Sequence, residues 1–458
     1  IHINDCPLDK GKWLAETKWE QDNRDCHHLQ QQLSIQHCPF TIQVASLHAL
    51  YQNFIEITQA KCYNSIVKTR ILGILALIMV IGVACIGCTP TLVTPDGEDY
   101  SNYTYKPFQS LAYFGTTTYV AIGGDFGDQK IVAKADQAWR EIQAELLAID
   151  QAISENIPNS DIARFNEASA GEVLEIGKHT FDLLSECQEY YTLTGGHFNP
   201  AMAHHVDLWG FTPRFTAVNF APVQPYDREN YRTQLPDDRY IQGLLPLTDF
   251  SKVKLSMGND KYFITKPESK VEIDGSAYTM KLTLGGVGKG YACDKAKDIL
   301  KKYGFNFGYV NIGSSSMSIL QSIQPAKVNQ LAWNVGIVHP RKAGTYLNIE
   351  LANTSLSTSG DYERYYELDG NRYCHIIAPD GRPTHTGIIS ASAMCTQSSK
   401  CDAITTALCS MDIDSAKDFA YKSGIDISLV YQSKDGQMQY YSNHEATLLD
   451  KKISKKPL

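Results

Sequence analysis

The chain has 458 residues, 43% hydrophobic and 20% charged, with a formal net charge of −8. That length can bury a large core as one domain or two interlocked ones, and the acidic balance excludes an ordinary nucleic-acid surface, which needs a basic stripe. The one lysine cluster, from Lys451 to Lys456, falls in a short tail (446–458) that reads as a solvated end.

Residues 1–66 carry no clear hydrophobic period, and the first methionine is Met79. The Cys26-His27-His28 and His37-Cys38 clusters match no standard zinc spacing. From Ile71 to Val83 the chain is continuously apolar, preceded by Lys68 and Arg70 and followed by Ala84-Cys85-Ile86-Gly87-Cys88. A basic start, a short apolar run and small residues before a cysteine make an export signal. The run is shorter than the roughly 20 residues of a comfortable membrane span. Its ending resembles a bacterial lipobox, with Cys88 as the acylated residue and Cys85 the alternative. An uncleaved helical anchor is the competing reading. We therefore expect translation to start at Val67, residues 1–66 to be upstream sequence read in frame, 67–88 to be a lipoprotein signal and 89–107 to be a polar tether. The body would then lie outside the membrane.

Within the body, 108–445, Tyr113–Ile122 reads as a β-strand. Ala133–Ser154 places Ala138, Ile142, Leu146, Ile149 and Ile153 at helical spacing. Phe181–Thr194 reads as a second helix ended by Gly195-Gly196, Asp294–Tyr303 as a third, and Phe307–Ile312 as a buried strand. Trp333–Val338, Tyr346–Leu351 and Tyr373–Ile377 read as strands; Asp402–Ser410 and Asp414–Lys422 read as helices. The Pro-rich stretch from Phe215 to Asp249 predicts a long surface excursion. This mixture, without strict βαβ repetition, predicts an α+β fold. Of twelve cysteines, the body holds Cys187, Cys293, Cys374, Cys395, Cys401 and Cys409. Disulfides and buried thiols both fit them.

Three segments carry candidate chemistry. Leu284-Gly-Gly-Val-Gly-Lys-Gly-Tyr291, followed by Asp294, is a glycine-rich turn opening a helix. Its N–H groups can approach phosphate, and Lys289 adds charge. It is neither a Walker A sequence nor a G-x-G-x-x-G, so a structural turn remains open. Ser357-Thr-Ser-Gly-Asp-Tyr-Glu-Arg364 leads to His375, which suggests the edge of a polar pocket or a structural histidine. In Asp402-Ala-Ile-Thr-Thr406 the carboxylate and hydroxyl share one helix face and could serve one hard cation. Alternatively, Thr406 bonds its own helix backbone.

The order of these segments, from about 114 to 411, resembles that of the FAD:protein FMN transferases, the ApbE-type flavin transferases. The resemblance rests on Ser160-Asp-Ile-Ala-Arg-Phe-Asn166, Gly195-Gly-His-Phe-Asn-Pro200 with Leu208-Trp-Gly-Phe211, Leu284 to Asp294, Asn311-Ile-Gly313, Ser357 to Tyr365 with His375-Ile-Ile377, and Asp402 to Leu408. It implies a mixed-sheet, T-fold-like α+β architecture with interlocked subdomains. It implies Mg²⁺ held by Asp402, Thr406 and the Gly288 carbonyl, and a base at His375 with Asp402 second. It also implies FAD contacts from Tyr119, Arg164, Phe165, Asn166, Phe198, Trp209, Gly210, Phe211, Lys289, Asp294, Gly360 and Asp361. The implied reaction moves FMN from FAD to a threonine of an acceptor and releases AMP. FAD hydrolysis and non-catalytic FAD binding are the rivals. Implied acceptors are subunits of Na⁺-translocating NADH:quinone reductase or Rnf-type complexes, met by an enzyme lipid-anchored to the bacterial inner membrane and facing the periplasm. The sequence departs from the pattern at Thr118, which stands where the family has its tyrosine, with Tyr119 one place later. It departs also at Asn199 for Asp, Gly288 for Ala, Ser314 for Gly and Ala378 for Asp.

Overall fold

The strand expected at Tyr113–Ile122 is the inner part of a hairpin, formed by Thr104–Tyr113 (β1) and Thr116–Gly124 (β2). Phe114 and Gly115 both have positive φ, 54° and 60°. Two such residues between paired strands make the turn whose twist suits a hairpin, and periodicity alone does not see it. The computed structural model describes residues 2–3, 100–211, 235–323, 331–450 and 452–455. The signal segment, Cys88 and residues 215–234 of the Pro-rich stretch lie outside the described residues.

Seven further strands complete the main sheet: Phe307–Ile312 (β3), Ser316–Ile319 (β4), Thr354–Gly360 (β5), Ile388–Cys395 (β6), Asp426–Gln432 (β7), Met438–Ser442 (β8) and Ser454–Lys455 (β9). They lie side by side in chain order. Neighbours are antiparallel except β8 and β9. The sheet therefore begins inside the segment expected as tether and ends in the basic tail, where Ile453 is buried.

Helix α1 (Gln129–Ile153) buries Ala138, Ile142, Leu146, Ile149 and Ile153 as their spacing predicts. Each large aliphatic of that stripe contributes about 1.5–3 kcal/mol by leaving water. The Asp128 carboxylate caps its first turn, accepting from the Lys130 amide. Next come α2 (Asp161–Glu167), capped by the Ser160 hydroxyl, α3 (Lys178–Leu193), α4 (Ala203–Leu208) and α5 (Asp238–Leu244). The described part of the excursion is thus partly helical. Helices α6 (Gly288–Lys302), α7 (Ser398–Ser410) and α8 (Ile413–Ser423) follow. Both α6 and α7 start earlier than the sequence predicts. Glycines and serines, poor formers by propensity, occupy their first turns because two backbones must meet there.

Side chains alternate across the sheet. Ile312, Ala393 and Ile427 belong to a core shared with α1, α3, α6 and α7. Met317, Leu356 and Met394 face a second core, roofed by strands Trp333–Val338 and Thr345–Leu351. That small sheet also takes Thr447–Leu448 and, at its edge, His2–Ile3. The latter pair belongs to the stretch expected to lie outside the fold. Tyr373–Ile377 is strand only to Cys374, in the hairpin of Tyr365–Leu368 with Asn371–Cys374. Cys395 and Cys401 form a disulfide, and Cys187, Cys293, Cys374 and Cys409 are buried thiols.

Candidate active site

The glycine-rich segment is a tight bend that becomes α6. The Leu284 carbonyl accepts from the Val287 and Gly288 amides at 3.1 and 2.9 Å. A Cβ on Gly290 would lie 2.3 Å from the Ser398 carbonyl oxygen, and one on Gly288 would lie 2.9 Å from Ile153 Cδ1. Absent side chains therefore let α6 press its first turn onto α7 and onto the end of α1.

Asp402, 3% exposed, sits at that crossing. Its Oδ2 accepts from the Gly290 amide at 3.1 Å. Burial drives its carboxyl above the ordinary carboxylate range, and the Lys289 charge, the Gly290 amide and the Ser316 hydroxyl pull the other way. Thr406 donates its hydroxyl proton to the Asp402 carbonyl at 3.1 Å, the backbone bond open from sequence. That bond leaves the lone pairs of its oxygen available. The same oxygen lies 3.3 Å from the position a Gly286 Cβ would take, so it faces the bend. A buried carboxylate, a hydroxyl oxygen offering lone pairs and the bend's carbonyls are hard oxygen donors of the kind Mg²⁺ takes. Among the described residues no three His, Cys, Asp or Glu side chains gather as a metal cluster, so any ion there draws on backbone and substrate oxygens.

Lys289 stretches over Gly313, whose φ is +67°, with Cδ 3.1 Å from the place of its Cβ. Phe198, buried, packs beneath Gly286. His375 takes its Nδ1 to the Arg364 carbonyl at 3.2 Å. A carbonyl only accepts, so Nδ1 carries the proton and Nε2 keeps a lone pair. Burial, then the Arg364 guanidinium, hold this imidazole well below its usual value. Phe211 meets the ring edge-on at 6.4 Å. The sequence did not single out Glu155, whose carboxyl burial pushes up to about 7 beside Thr283, Arg364, Asp207 and Lys281. No spacing marks it, because its partners come from three separate segments.

Other expected contact residues have structural partners. Asp294 accepts from the Ser399 amide, Lys297 and Ser318 at 3.0, 3.0 and 3.2 Å, which makes it a cap for α7. Asp361 is held bidentately by Arg341, with both bonds 2.7 Å. Arg164 is tied to Asp161 and to the Glu175 carbonyl. Phe165 is wholly buried in the main core. Asn166 pairs with the Leu282 backbone, donating at 2.9 Å and accepting at 2.7 Å. Trp209 is buried, donates to the Gly381 carbonyl at 2.8 Å and stacks on Tyr373. Gly210, with φ +80°, ends α4, and Gly360 abuts the Tyr362 ring.

Tyr119 is the clearest displacement. Its register partners are Gln109 and Asn311, and Asn311 in turn faces Met317 of the second core. Thr118 pairs instead with Ile312, on the helix face where Asp402 lies. One residue of offset exchanges faces, so Tyr119 is turned away from the glycine bend.

A bend-and-helix site on a mixed antiparallel sheet defines a class of α+β domain, and residue order narrows it to one family. The sequence profile of the ApbE family matches residues 114–429, and the chain belongs to the ApbE family. It is 28% identical to the FAD:protein FMN transferase of Treponema pallidum (strain Nichols) over 281 residues, covering 60% of this chain and 71% of that protein. It is 24% identical to the FAD:protein FMN transferase of Escherichia coli (strain K12) over 298 residues, covering 64% and 77%. Among solved structures, the flavin transferase ApbE from Vibrio cholerae superposes with a TM-score of 0.58 at 21% identity, covering 74% of this chain and 96% of that one. The ApbE protein of Thermotoga maritima gives 0.57 at 25% identity, covering 73% and 96%.

Proposed function

We propose that this chain is a FAD:protein FMN transferase that joins the FMN half of FAD to a threonine hydroxyl of an acceptor protein. The observation that carries the site reading is the Asp402 carboxylate, buried against the Gly290 amide, with the Thr406 oxygen one helical turn away facing the same bend. Asp402, Thr406 and the Gly288 carbonyl are the groups that would hold Mg²⁺. Bound there, the ion supplies charge neutralisation for a diphosphate and alignment of the displacement.

The chain's own residues do the rest. Lys289, at the start of α6, would set its charge against that of the diphosphate. The acceptor oxygen forms a bond to the FMN-side phosphorus. The bond from that phosphorus to the bridging oxygen breaks, and AMP departs with the oxygen. The hydroxyl proton goes to Nε2 of His375, whose Nδ1 is fixed as donor by the Arg364 carbonyl. Water in place of the threonine would give FMN and AMP, the hydrolytic rival.

The export segment before the body supports a lipid-anchored enzyme on the outer side of the bacterial inner membrane, with Cys88 acylated. The acceptors it would meet there are subunits of Na⁺-translocating NADH:quinone reductase or Rnf-type complexes. The deciding experiment incubates the full chain with FAD, Mg²⁺ and such an acceptor domain. In-gel flavin fluorescence on the acceptor and a mass increase on one threonine are expected. AMP with free FMN alone would establish hydrolysis, and no AMP would leave only flavin binding.

A further inference from the structure

Lys266 is an unusual lysine. It is wholly buried, 0% exposed, and its Nζ bonds are to backbone carbonyls. Its Nζ donates to the carbonyls of Phe165, Asn166 and Ala168 at 2.8, 3.2 and 2.9 Å, and lies 5.1 Å from the Phe165 ring centre. Those are carbonyls at and just past the end of α2, where the helix runs out of its own amides; only the Phe165 carbonyl also accepts locally, from the Ala168 amide at 3.3 Å. One ammonium carries three donors, so the match is complete. Burying a lysine is costly, and a solvated helix end would have served stability alone.

What the lysine fixes is Asn166. Its amide exchanges two hydrogen bonds with the Leu282 backbone, as a neighbouring strand would. The next residue, Thr283, donates to the Pro200 carbonyl at 2.9 Å. The Leu284 carbonyl then closes the glycine bend. Lys266 and the bend are thus joined by direct contacts alone. They run from the ammonium to the end of α2, from Asn166 to Leu282, and into the bend that offers Gly288 and the Gly290 amide to Asp402.

We propose that Lys266 is a positioning residue that sets the placement of the glycine bend, and with it the divalent-cation site, through Asn166. This rests on the Mg²⁺ reading given above. Loss of a group supporting ligands from behind lowers metal affinity by about 10- to 100-fold.

The test measures FAD binding to the full chain by flavin fluorescence, titrating Mg²⁺, alongside thermal melting. Lys266→Met should raise the Mg²⁺ concentration needed for half-maximal binding about tenfold. Asn166→Asp, which cannot donate to Leu282, should give a similar shift, and the double variant no more than either alone. Thr180→Val is the control. It removes the 2.6 Å bond to Asp161 at the other end of α2, and should lower melting while leaving the Mg²⁺ requirement in place. An unshifted requirement in Asn166→Asp overturns the proposal even where Lys266→Met fails to fold. An equal shift in Thr180→Val, or additive shifts in the double variant, overturns it too. Wild-type FAD binding that ignores Mg²⁺ sinks the metal reading itself, an outcome distinct from wild-type dependence with unshifted variants.

Discussion

The Gly290 amide donates to Asp402 Oδ2 at 3.1 Å, joining the first turn of α6 to the first turns of α7. Two helices that start beside each other place two positive dipole ends around one buried carboxylate. The same geometry leaves Asp402 with a single oxygen engaged by backbone, and it motivates the variants below.

On the proposed metal reading, Asp402→Ala should reduce FMN transfer about a hundredfold or more, because an ion held there would supply several kcal/mol of charge stabilisation. Asp402→Asn keeps the shape and should lose nearly as much. Wild-type transfer by either variant, measured as flavin on the acceptor, would remove Asp402 from the metal site.

His375→Gln should slow transfer by about 10²- to 10⁴-fold with FAD binding intact. Since burial and Arg364 keep the imidazole well below 6.5, it stays unprotonated on acidification past that pH. The acid limb of kcat/KM is therefore expected well below 6.5. A limb centred at 6.5 that disappears in the variant would show an ordinary, exposed imidazole instead.

Gly290→Ala inserts a methyl where the Ser398 carbonyl stands 2.3 Å away. Overpacking of a rigid contact costs about 1–3 kcal/mol, and here the helices cannot separate without moving Asp402. Lower melting together with a raised Mg²⁺ requirement is expected. A melt and titration indistinguishable from wild type would mean the crossing is looser than described.

Glu155 holds its proton more tightly when folded, with its carboxyl near 7 against 4.5 in the open chain. Its contribution to stability is complete below pH 4.5 and is lost as pH rises through about 7. Glu155→Gln should match wild type at low pH and exceed it at pH 8, by up to about 3 kcal/mol. Parallel urea midpoints for the two proteins across that range would contradict the assignment.

Much of this was legible from residue pattern. The stripe from Ala138 to Ile153 declared α1, the β-branched and aromatic run Trp333–Val338 a strand, and the i, i+4 spacing of Asp402 and Thr406 a shared helix face. Most of what escaped shares one cause: a partner distant in sequence decides the role. Nothing near Asp294 shows that its carboxylate caps α7 at Ser399, and nothing near Asp361 shows Arg341. Lys266 resembles any surface lysine until the end of α2 is folded against it. Tyr119 was misplaced for a different reason, since facing is set by register, and register followed from a turn at Phe114 that hydrophobicity does not signal.

Between two neighbours of the main sheet the chain makes its longest detour, for β2 ends at Gly124 and its partner β3 begins at Phe307. During synthesis the β2 edge, with Val120 and Ile122, must wait for everything between to emerge before it finds a neighbour. A ribosome that stops short of β3 would release a half-made protein with a naked, sticky border. Fragments ending before residue 307 should accordingly clump rather than fold, whereas breaks beyond β8 should be tolerated far better.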